Sequence, residues 1–277
     1  MTNLKQTSLK GAAHHDLTHE TPLEILFQIL YKDEQVVAIH KPAGLLLHPS
    51  PLVHPSETLN CVDLLQSTLK RKVFPVHRLD RATSGLVLFA LNSEIARHLA
   101  QQFAEHQVEK TYHALVRGIP RAEVASGDAP SPPLITLDRA LNDPDAPHSP
   151  KKTAQTQVRV ARAFEIPYRT QKNFETTRLS WLALYPRTGR RHQLRRHLAG
   201  ISHPMIGDTI YGSGVQNRLF RDTFQFHRLA LAATEIRLEH PRGQTLHLHA
   251  PLAPELSQIL ARLTPFEIPL EDRARAP

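Results

Sequence analysis

Cysteine is almost missing from this 277-residue chain, since Cys61 is its single thiol. One cysteine permits no internal disulfide and is too few for a cysteine-based zinc site. Long apolar runs are also missing, and none approaches the roughly 20 residues needed to cross a bilayer. The first twenty residues contain no apolar segment followed by a cleavage site, so no secretory signal is visible. These absences predict a cytoplasmic protein that does not enter a membrane.

Acidic residues are fewer than basic residues in this chain. The chain has 26 Asp and Glu against 34 Lys and Arg, which gives a net charge of +8, and it carries 18 histidines. Such a balance favours a polyanionic partner, although many other soluble proteins are also basic. Charge alone therefore indicates a class of partner and does not identify one.

Hydrophobic patterning predicts one α+β domain over residues 23–265. Hairpin-connected strands with helices between them favour a mixed, mainly antiparallel sheet with flanking helices. Residues 1–22 are expected to form a flexible arm and 266–277 a charged tail. Seven of the 22 prolines lie in 120–150, which predicts a surface insertion without a core element. The predicted strands are 25–30, 36–40, 86–91, 112–116, 156–159, 177–185, 229–231, 236–240 and 246–249, and the predicted helices are 61–69, 189–199, 254–263 and one capped by Asn92 or Ser93.

One aspartate lies between two arginines just before a predicted buried strand. Asp80 is flanked by Arg78 and Arg81. The positive potential of two guanidinium groups would keep this carboxylate ionised and available as a nucleophile or an anchor. A structural ion-pair cluster at the start of a strand explains the same residues, and the local pattern by itself favours that explanation.

A second basic segment has helical periodicity. Thr188 is predicted to cap the helix, with Leu194 and Ile201 on its buried stripe. Arg190 and Arg191 would then occupy the first turn, where the helix dipole disfavours cations, so anion binding explains them better than local stability. Arg190 is also expected to need an internal carboxylate partner. A solvated basic face is the alternative.

Two other candidates have less specific surroundings. Tyr112 lies on a predicted strand, where tyrosine more often packs in a core than stacks on a nucleobase. Lys41 follows a strand at a Pro-Gly turn, where a solvated lysine is the plain explanation. His192 and His197 lie about 140° apart around a helix axis and cannot act as an i, i+4 pair of metal ligands. The sequence therefore predicts no metal site.

Five motifs, in their order along the chain, resemble those of the RluA-type pseudouridine synthases. One motif would be weak support, whereas five in order are specific, and the resemblance as a whole covers roughly residues 23–251. The segment 193–198 is most similar to one subgroup of that family, whose members act on tRNA. The motifs are Lys41-Pro42-x-Gly44 with His48, His77-Arg78-Leu79-Asp80-Arg81-x-Thr83-Ser84-Gly85, Lys110-x-Tyr112-x-Ala114, Thr188-Gly189-Arg190-x-His192-Gln193-x-Arg195, and Ser202-His203-Pro204-x-Ile206-Gly207-Asp208.

The resemblance implies isomerisation of a uridine in RNA to pseudouridine, without a cofactor or a metal. It implies that Asp80 is the catalytic aspartate, that Tyr112 stacks on the target uracil, and that Arg190 pairs with the aspartate. Arg78 would enter the space left by the flipped base. The other residues expected to contact RNA are Lys41, Arg81, Arg187, Arg191, Arg195 and Arg196.

Three functions remain open from the sequence. The subgroup resemblance favours a monomeric enzyme that modifies a uridine in the T-arm stem of tRNA. A synthase for ribosomal RNA would share every catalytic residue, and a non-catalytic RNA-binding module would share the charge. Because a carboxylate facing RNA phosphates weakens simple binding, the set of Asp80, Tyr112 and Arg190 favours catalysis over binding alone.

Overall fold

A computed structural model describes residues 27–49, 59–121 and 134–270. The predicted arm at 1–22 and residues 271–277 of the predicted tail lie outside these ranges. The strands are β1 (Gln28–Lys32), β2 (Val36–Lys41), β3 (Phe74–Pro75), β4 (Ser84–Ala90), β5 (Glu109–Arg117), β6 (Ile135–Asp138), β7 (Gln155–Ile166), β8 (Thr177–Pro186), β9 (Leu231–Glu239), β10 (Thr245–His249) and β11 (Glu267–Ile268). The helices are α1 (Cys61–Leu69), α2 (Ser93–Ala104), α3 (Gln193–Gly200), α4 (Gly214–Phe224) and α5 (Pro254–Leu263), and a 3₁₀ turn covers Thr264–Phe266. No helix in the described ranges is long and apolar enough to cross a membrane.

The strands form one mixed sheet whose pairings are almost all antiparallel. Its order is β1-β2-β4-β9-β5-β8-β7-β11, with β3 beside β4, β10 beside β9 and β6 beside β7. The parallel pairing joins β4 to β9 at Ser84 and Gly85. The predicted α+β class with a mainly antiparallel sheet is therefore confirmed.

Helices cover both faces of the central strands. Leu115 on β5 packs with α4 and α5 on one face. Its neighbours Ala114 and Val116 pack with Leu194 and Leu198 of α3 on the other face. This division follows from the strand period of two, which sends successive side chains to opposite sides.

Two asparagines fix the starts of the first two helices. The Asn60 side chain accepts a hydrogen bond from the backbone N–H of Asp63 at the start of α1. Asn92, and not Ser93, does the same for Ile95 at the start of α2. Such a cap contributes about 1 kcal/mol by satisfying an otherwise unpaired helix donor. The helices predicted in these two places are confirmed.

The structure differs from the sequence prediction in several elements. Helix α4 was not predicted, because two of its buried residues, Gln216 and Asn217, are polar and interrupt the apolar period. Strand β6 pairs with β7 and buries Leu137, so the prediction of an insertion without a core element is wrong there. Strand β9 runs without a break from Leu231 to Glu239, where two separate strands were predicted at 229–231 and 236–240. Ile201 follows the end of α3 and is 36% exposed rather than part of a buried stripe.

Candidate active site

The sheet register brings two candidate residues to one place. Tyr112 on β5 pairs with Ala233 on β9, and Ala233 pairs with Gly85 on β4. Asp80 lies on the loop that leads into β4. Gly85 has a φ of +115°, and a Cβ atom there would lie 2.0 Å from the Ala233 carbonyl oxygen. Only glycine allows this close approach, which holds the Asp80 loop next to the Tyr112 strand.

A cleft of about 480 Å³ opens where these strands meet the segment before α3. Its volume falls in the range typical of small-ligand sites, about 300–1,000 Å³. Of the residues singled out in the sequence, the cleft is lined by Arg78, Asp80, Tyr112, Arg190, Arg191 and Arg195. Lys41, Arg81, Arg187 and Arg196 do not line it.

The Asp80 carboxylate faces one arginine and one histidine. Its Oδ2 atom lies 3.7 Å from Arg195 Nη1 and 3.9 Å from His192 Nε2. Arg190 instead donates its Nε–H to the carbonyl oxygen of Thr153 at 3.0 Å. Within the described residues Arg190 makes no ion pair with Asp80, so the predicted pairing is wrong and Arg195 is the arginine beside the aspartate.

The hydrogen bonds at the start of α3 explain why Arg190 does not pair with Asp80. The Thr188 hydroxyl and the Arg190 backbone N–H both donate to Gln193 Oε1, at 2.7 and 3.0 Å. The Gln193 amide in turn donates to the Gln155 carbonyl on β7 at 3.0 Å. Because of this network, and because His192 has a φ of +54°, α3 begins only at Gln193. Thr188 is therefore not a helix cap, and Arg190 precedes the helix rather than occupying its first turn.

Arg195 is held by a buried carboxylate. Its Nε and Nη2 atoms each lie 2.7 Å from an oxygen of Asp208, and its guanidinium carbon lies 5.1 Å from the centre of the Tyr211 ring. Burial acts to lower the pKa of Arg195, but the hydrogen bonds and charge of Asp208 outweigh it, so the pKa is raised. Arg195 is only 5% exposed, so the prediction that it contacts an RNA phosphate on the surface is wrong. Its Nη1 remains directed at Asp80.

His192 is the second neighbour of the aspartate. Its Nδ1 atom lies 3.0 Å from the Tyr211 hydroxyl. Burial lowers the pKa of His192, while the Asp80 charge opposes that change only in part. The imidazole is therefore mainly neutral at pH 7. From the sequence, His192 was considered only as a metal ligand. Its place in the Thr188–Arg195 motif was the feature that could have identified it as a site residue.

Tyr112 is half-buried in the cleft. Burial raises the pKa of its phenol, and the negative charge of Asp80 raises it further. The phenol therefore stays protonated at neutral pH. It can offer an aromatic face and a hydroxyl donor, but it is not a base at this pH.

Lys41 has a structural role. Its fully buried Nζ donates to the carbonyl oxygens of Pro42, Leu45 and Arg81, at 2.9, 2.9 and 3.1 Å. Burial lowers the pKa of Lys41 to about 8. The prediction that Lys41 contacts RNA is wrong, because its ammonium group instead fastens the turn after β2 to the residue that follows Asp80.

The other predicted RNA contacts differ in their surroundings. Arg78 and Arg187 are exposed. Arg81 is exposed, and its Nε donates to the Gly44 carbonyl at 2.9 Å. Arg191 and Arg196 contact the segment after β6. Arg191 forms an ion pair with Asp145, and Arg196 donates a hydrogen bond to the Asn142 carbonyl at 2.6 Å.

Two further residues line the cleft and were missed as site candidates. Lys110 lies on β5 two residues before Tyr112, and burial lowers its pKa to about 8. His77 accepts a hydrogen bond from the Leu88 N–H at 3.0 Å and stacks on Phe103 with 4.9 Å between ring centres. Burial lowers the pKa of His77 to about 3, so this imidazole is neutral. Because the pKa of Lys110 still lies above 7, its side chain is a cation on the cleft wall at neutral pH.

Residues 35–200 match a protein-family model described as RNA pseudouridylate synthase. The matched segment covers more than half of the chain and contains Asp80, Tyr112, His192 and Arg195. The chain belongs to the RNA pseudouridylate synthase family. It is accordingly a pseudouridine synthase, an isomerase that acts on uridine in RNA.

Several curated relatives of this synthase are named tRNA pseudouridine synthase C. The protein of that name from Vibrio parahaemolyticus serotype O3:K6 is 44% identical over 220 residues, which are 79% of this chain and 87% of the relative. The one from Haemophilus ducreyi is 43% identical over 214 residues, which are 77% of this chain and 86% of the relative. The similarity therefore extends over most of both proteins.

Two solved structures share the fold at lower identity. Human RNA pseudouridylate synthase domain containing 1 superposes with a TM-score of 0.60 and 21% identity, over 89% of this chain and 98% of that one. Human RNA pseudouridylate synthase domain containing 4 gives a TM-score of 0.61 and 22% identity, over 85% and 92% of the two chains. At these identities the comparison shows the architecture alone.

Proposed function

We propose that this synthase acts on tRNA and converts one uridine of the T-arm stem to pseudouridine. The proposal rests on the tRNA pseudouridine synthase C relatives, which match over most of their length. The observation in the site that carries the catalytic part is the cleft in which Asp80 faces Arg195 beside the protonated phenol of Tyr112.

The proposed chemistry moves the uracil from nitrogen to carbon attachment. The C1′–N1 bond breaks and a C1′–C5 bond forms, while C5 loses a proton and N1 gains one, so all atoms balance. Asp80 acts as the carboxylate that assists departure of the base, and Arg195 beside it holds it in orientation. Tyr112 lies under the detached uracil, holds its plane during the rotation and offers its hydroxyl for proton transfer.

RNA recognition needs the target base to leave its stack. Base flipping costs a few kcal/mol, which stacking on Tyr112 and insertion of Arg78 into the vacated space would recover. Exposed or half-buried arginines near the cleft would contact the backbone phosphates and make binding strongly salt-dependent. Those arginines are Arg81, Arg187, Arg190 and Arg191.

The direct test uses unmodified transcripts carrying tritium at C5 of uridine. Release of tritium follows bond formation at C5, and mapping the product locates the position. Conversion of a T-arm uridine in tRNA, lost when that uridine is replaced by cytidine, is the expected result. Modification of ribosomal fragments with none in tRNA would overturn the substrate while leaving the reaction intact. Tight RNA binding without turnover on any substrate would favour the binding-module alternative.

The quaternary state and the domain organisation are part of the same proposal. We propose a cytoplasmic monomer whose single catalytic domain spans residues 23–265. One sheet joins all strands of the described ranges, which supports a single domain. Light scattering of the purified full chain should give one protomer mass, and a dimer mass would contradict the monomer.

A further inference from the structure

Three potential metal ligands meet on the β9–β10 hairpin, outside the catalytic cleft. They are Glu235, His247 and His249, and one ligand atom from each lies within 4.8 Å of the other two. His247 Nε2 is 3.7 Å from Glu235 Oε2, and His249 Nδ1 is 3.7 Å from Glu235 Oε1. The two imidazole ring centres are 4.1 Å apart. We call this group the hairpin cluster.

The backbone preorganises the hairpin cluster. His247 and His249 are two residues apart on a strand, so they share one face. Their neighbours Leu246 and Leu248 are buried in the core, which fixes the histidines on the outer face. Glu235 pairs directly with His249 across the hairpin, and directly opposed Cβ atoms lie about 4.5–5.5 Å apart.

No hydrogen bond in the described part of the chain engages the imidazole nitrogens of His247 and His249. At 3.7 Å neither imidazole is hydrogen-bonded to the carboxylate. Both histidines are solvent-exposed and Glu235 is half-buried, so an ion can reach the cluster. The Thr111 hydroxyl on β5 lies 3.4 Å from Glu235 Oε2 and donates to it, which helps to orient the carboxylate as outer contacts of metal sites commonly do.

We propose that the hairpin cluster binds a divalent transition-metal ion, with Zn²⁺ the best match. Two imidazole nitrogens and one carboxylate are a common ligand set for zinc, with a fourth tetrahedral position left for water. Metal–ligand bonds of about 2.0–2.2 Å place tetrahedral donor atoms about 3.3 Å apart, so small side-chain rotations close the site. Mg²⁺ and Ca²⁺ prefer oxygen ligands and fit it poorly.

The position of the hairpin cluster indicates a structural effect rather than a catalytic one. None of its three residues lines the cleft that holds Asp80 and Tyr112. A bound ion would cross-link β9 to β10 and stabilise the folded hairpin by mass action. Turnover should therefore be insensitive to the ion, while thermal stability should respond to it.

The test uses the tag-free, full-length protein after metal removal, titrated with Zn²⁺ by calorimetry and with Co²⁺ by visible absorption. The wild type should bind one equivalent with a tetrahedral Co²⁺ spectrum. The double variant His247→Gln/His249→Gln should lose more than about 100-fold in affinity, and Glu235→Gln should also bind more weakly. His227→Gln changes an exposed histidine outside the hairpin cluster and should bind like the wild type.

Thermal unfolding gives an independent readout. Saturating Zn²⁺ should raise the Tm of the wild type and of His227→Gln by about 5 °C, and leave the double variant unchanged. Circular dichroism and unchanged RNA turnover show that the double variant is folded. Equal binding by the double variant, for example on His14 and His15 of the N-terminal segment, would overturn the proposal. So would a wild type that binds no metal below about 100 μM.

Discussion

Arg195 and Asp208 form a buried bidentate ion pair that leaves one guanidinium nitrogen directed at Asp80. Arg195 Nε and Nη2 each lie 2.7 Å from an oxygen of Asp208, and Arg195 Nη1 lies 3.7 Å from the Asp80 carboxylate. Asp208 also accepts the backbone N–H groups of Ile210 and Tyr211, at 2.9 and 3.0 Å. The positive charge next to Asp80 is thus held in place by Asp208, a carboxylate that does not line the cleft.

Arg195 should matter for turnover more than Arg190. We expect Arg195→Lys to keep the charge but lose the bidentate geometry, and to lower kcat by at least about 100-fold. Arg190→Lys should change mainly KM, because Arg190 contacts a backbone carbonyl and not Asp80. Steady-state kinetics on the tRNA transcript separates the two. A larger loss of kcat in Arg190→Lys would restore the original pairing with Asp80.

Asp208→Asn should destabilise the protein by about 3–5 kcal/mol, since it leaves the buried Arg195 charge uncompensated. Glu267→Gln is the matched control, because its ion pair with Arg162 is exposed and should be worth about 1 kcal/mol or less. Urea unfolding at pH 7 measures both free energies. Equal effects of the two variants would contradict the account of the buried pair.

The same carboxylate predicts a pH dependence. Hydrogen bonds and charge from Arg195 and from backbone N–H groups outweigh burial and lower the pKa of Asp208 in the folded state. A lowered folded-state pKa gives stability above the unfolded value of about 3.9, and this stability is lost as pH falls through the folded value. The difference in unfolding free energy between wild type and Asp208→Asn should therefore be constant above pH 5 and shrink in strong acid.

Lys110 should make RNA binding sensitive to alkaline pH. Burial lowers its pKa to about 8, so the cleft loses a positive charge as pH rises through that value. We expect the KM for RNA to rise a few-fold between pH 7 and 9 in the wild type, and to rise less in Lys110→Met. Lys72→Met, which changes an exposed lysine outside the cleft, should keep the wild-type profile. Parallel profiles of KM against pH in all three proteins would show that Lys110 does not contribute to RNA binding.

Gly85→Ala should abolish the close approach of β4 to β9. The new Cβ would meet the Ala233 carbonyl at 2.0 Å, and the φ of +115° is itself unfavourable for alanine. We expect a loss of at least about 3 kcal/mol of unfolding free energy. Gly214→Ala has open space around its Cβ and should change stability by less than about 1 kcal/mol, as followed by thermal melting.

Local sequence signals predicted the elements that local interactions determine. Helix α2 begins at Ser93 because the side chain of the preceding Asn92 accepts a hydrogen bond from the Ile95 N–H, and β4 contains an unbroken apolar run and is buried along its length. The strand that carries Tyr112 was also visible from its alternation. In each of these elements the residues that decide the structure are close together in the chain.

Contacts across the sheet decided what the sequence could not show. The start of α3 depends on Gln193 bonding to Gln155 of β7, so the choice between Arg190 and Arg195 could not be made from spacing. The buried role of Lys41 could not be seen in the sequence, because its contact with the Arg81 carbonyl joins two loops that are distant in sequence. The hairpin cluster depends in the same way on the register of β9 with β10, which places Glu235 opposite His249.

The central claim, that Asp80 performs the isomerisation, is tested most directly by turnover of Asp80→Asn on the tRNA transcript. The substitution removes the charge and the nucleophile but keeps the shape of the side chain. The account predicts that pseudouridine formation falls by more than about 1,000-fold, while the Kd for RNA stays within about threefold of the wild type. Near-wild-type turnover by Asp80→Asn would contradict it.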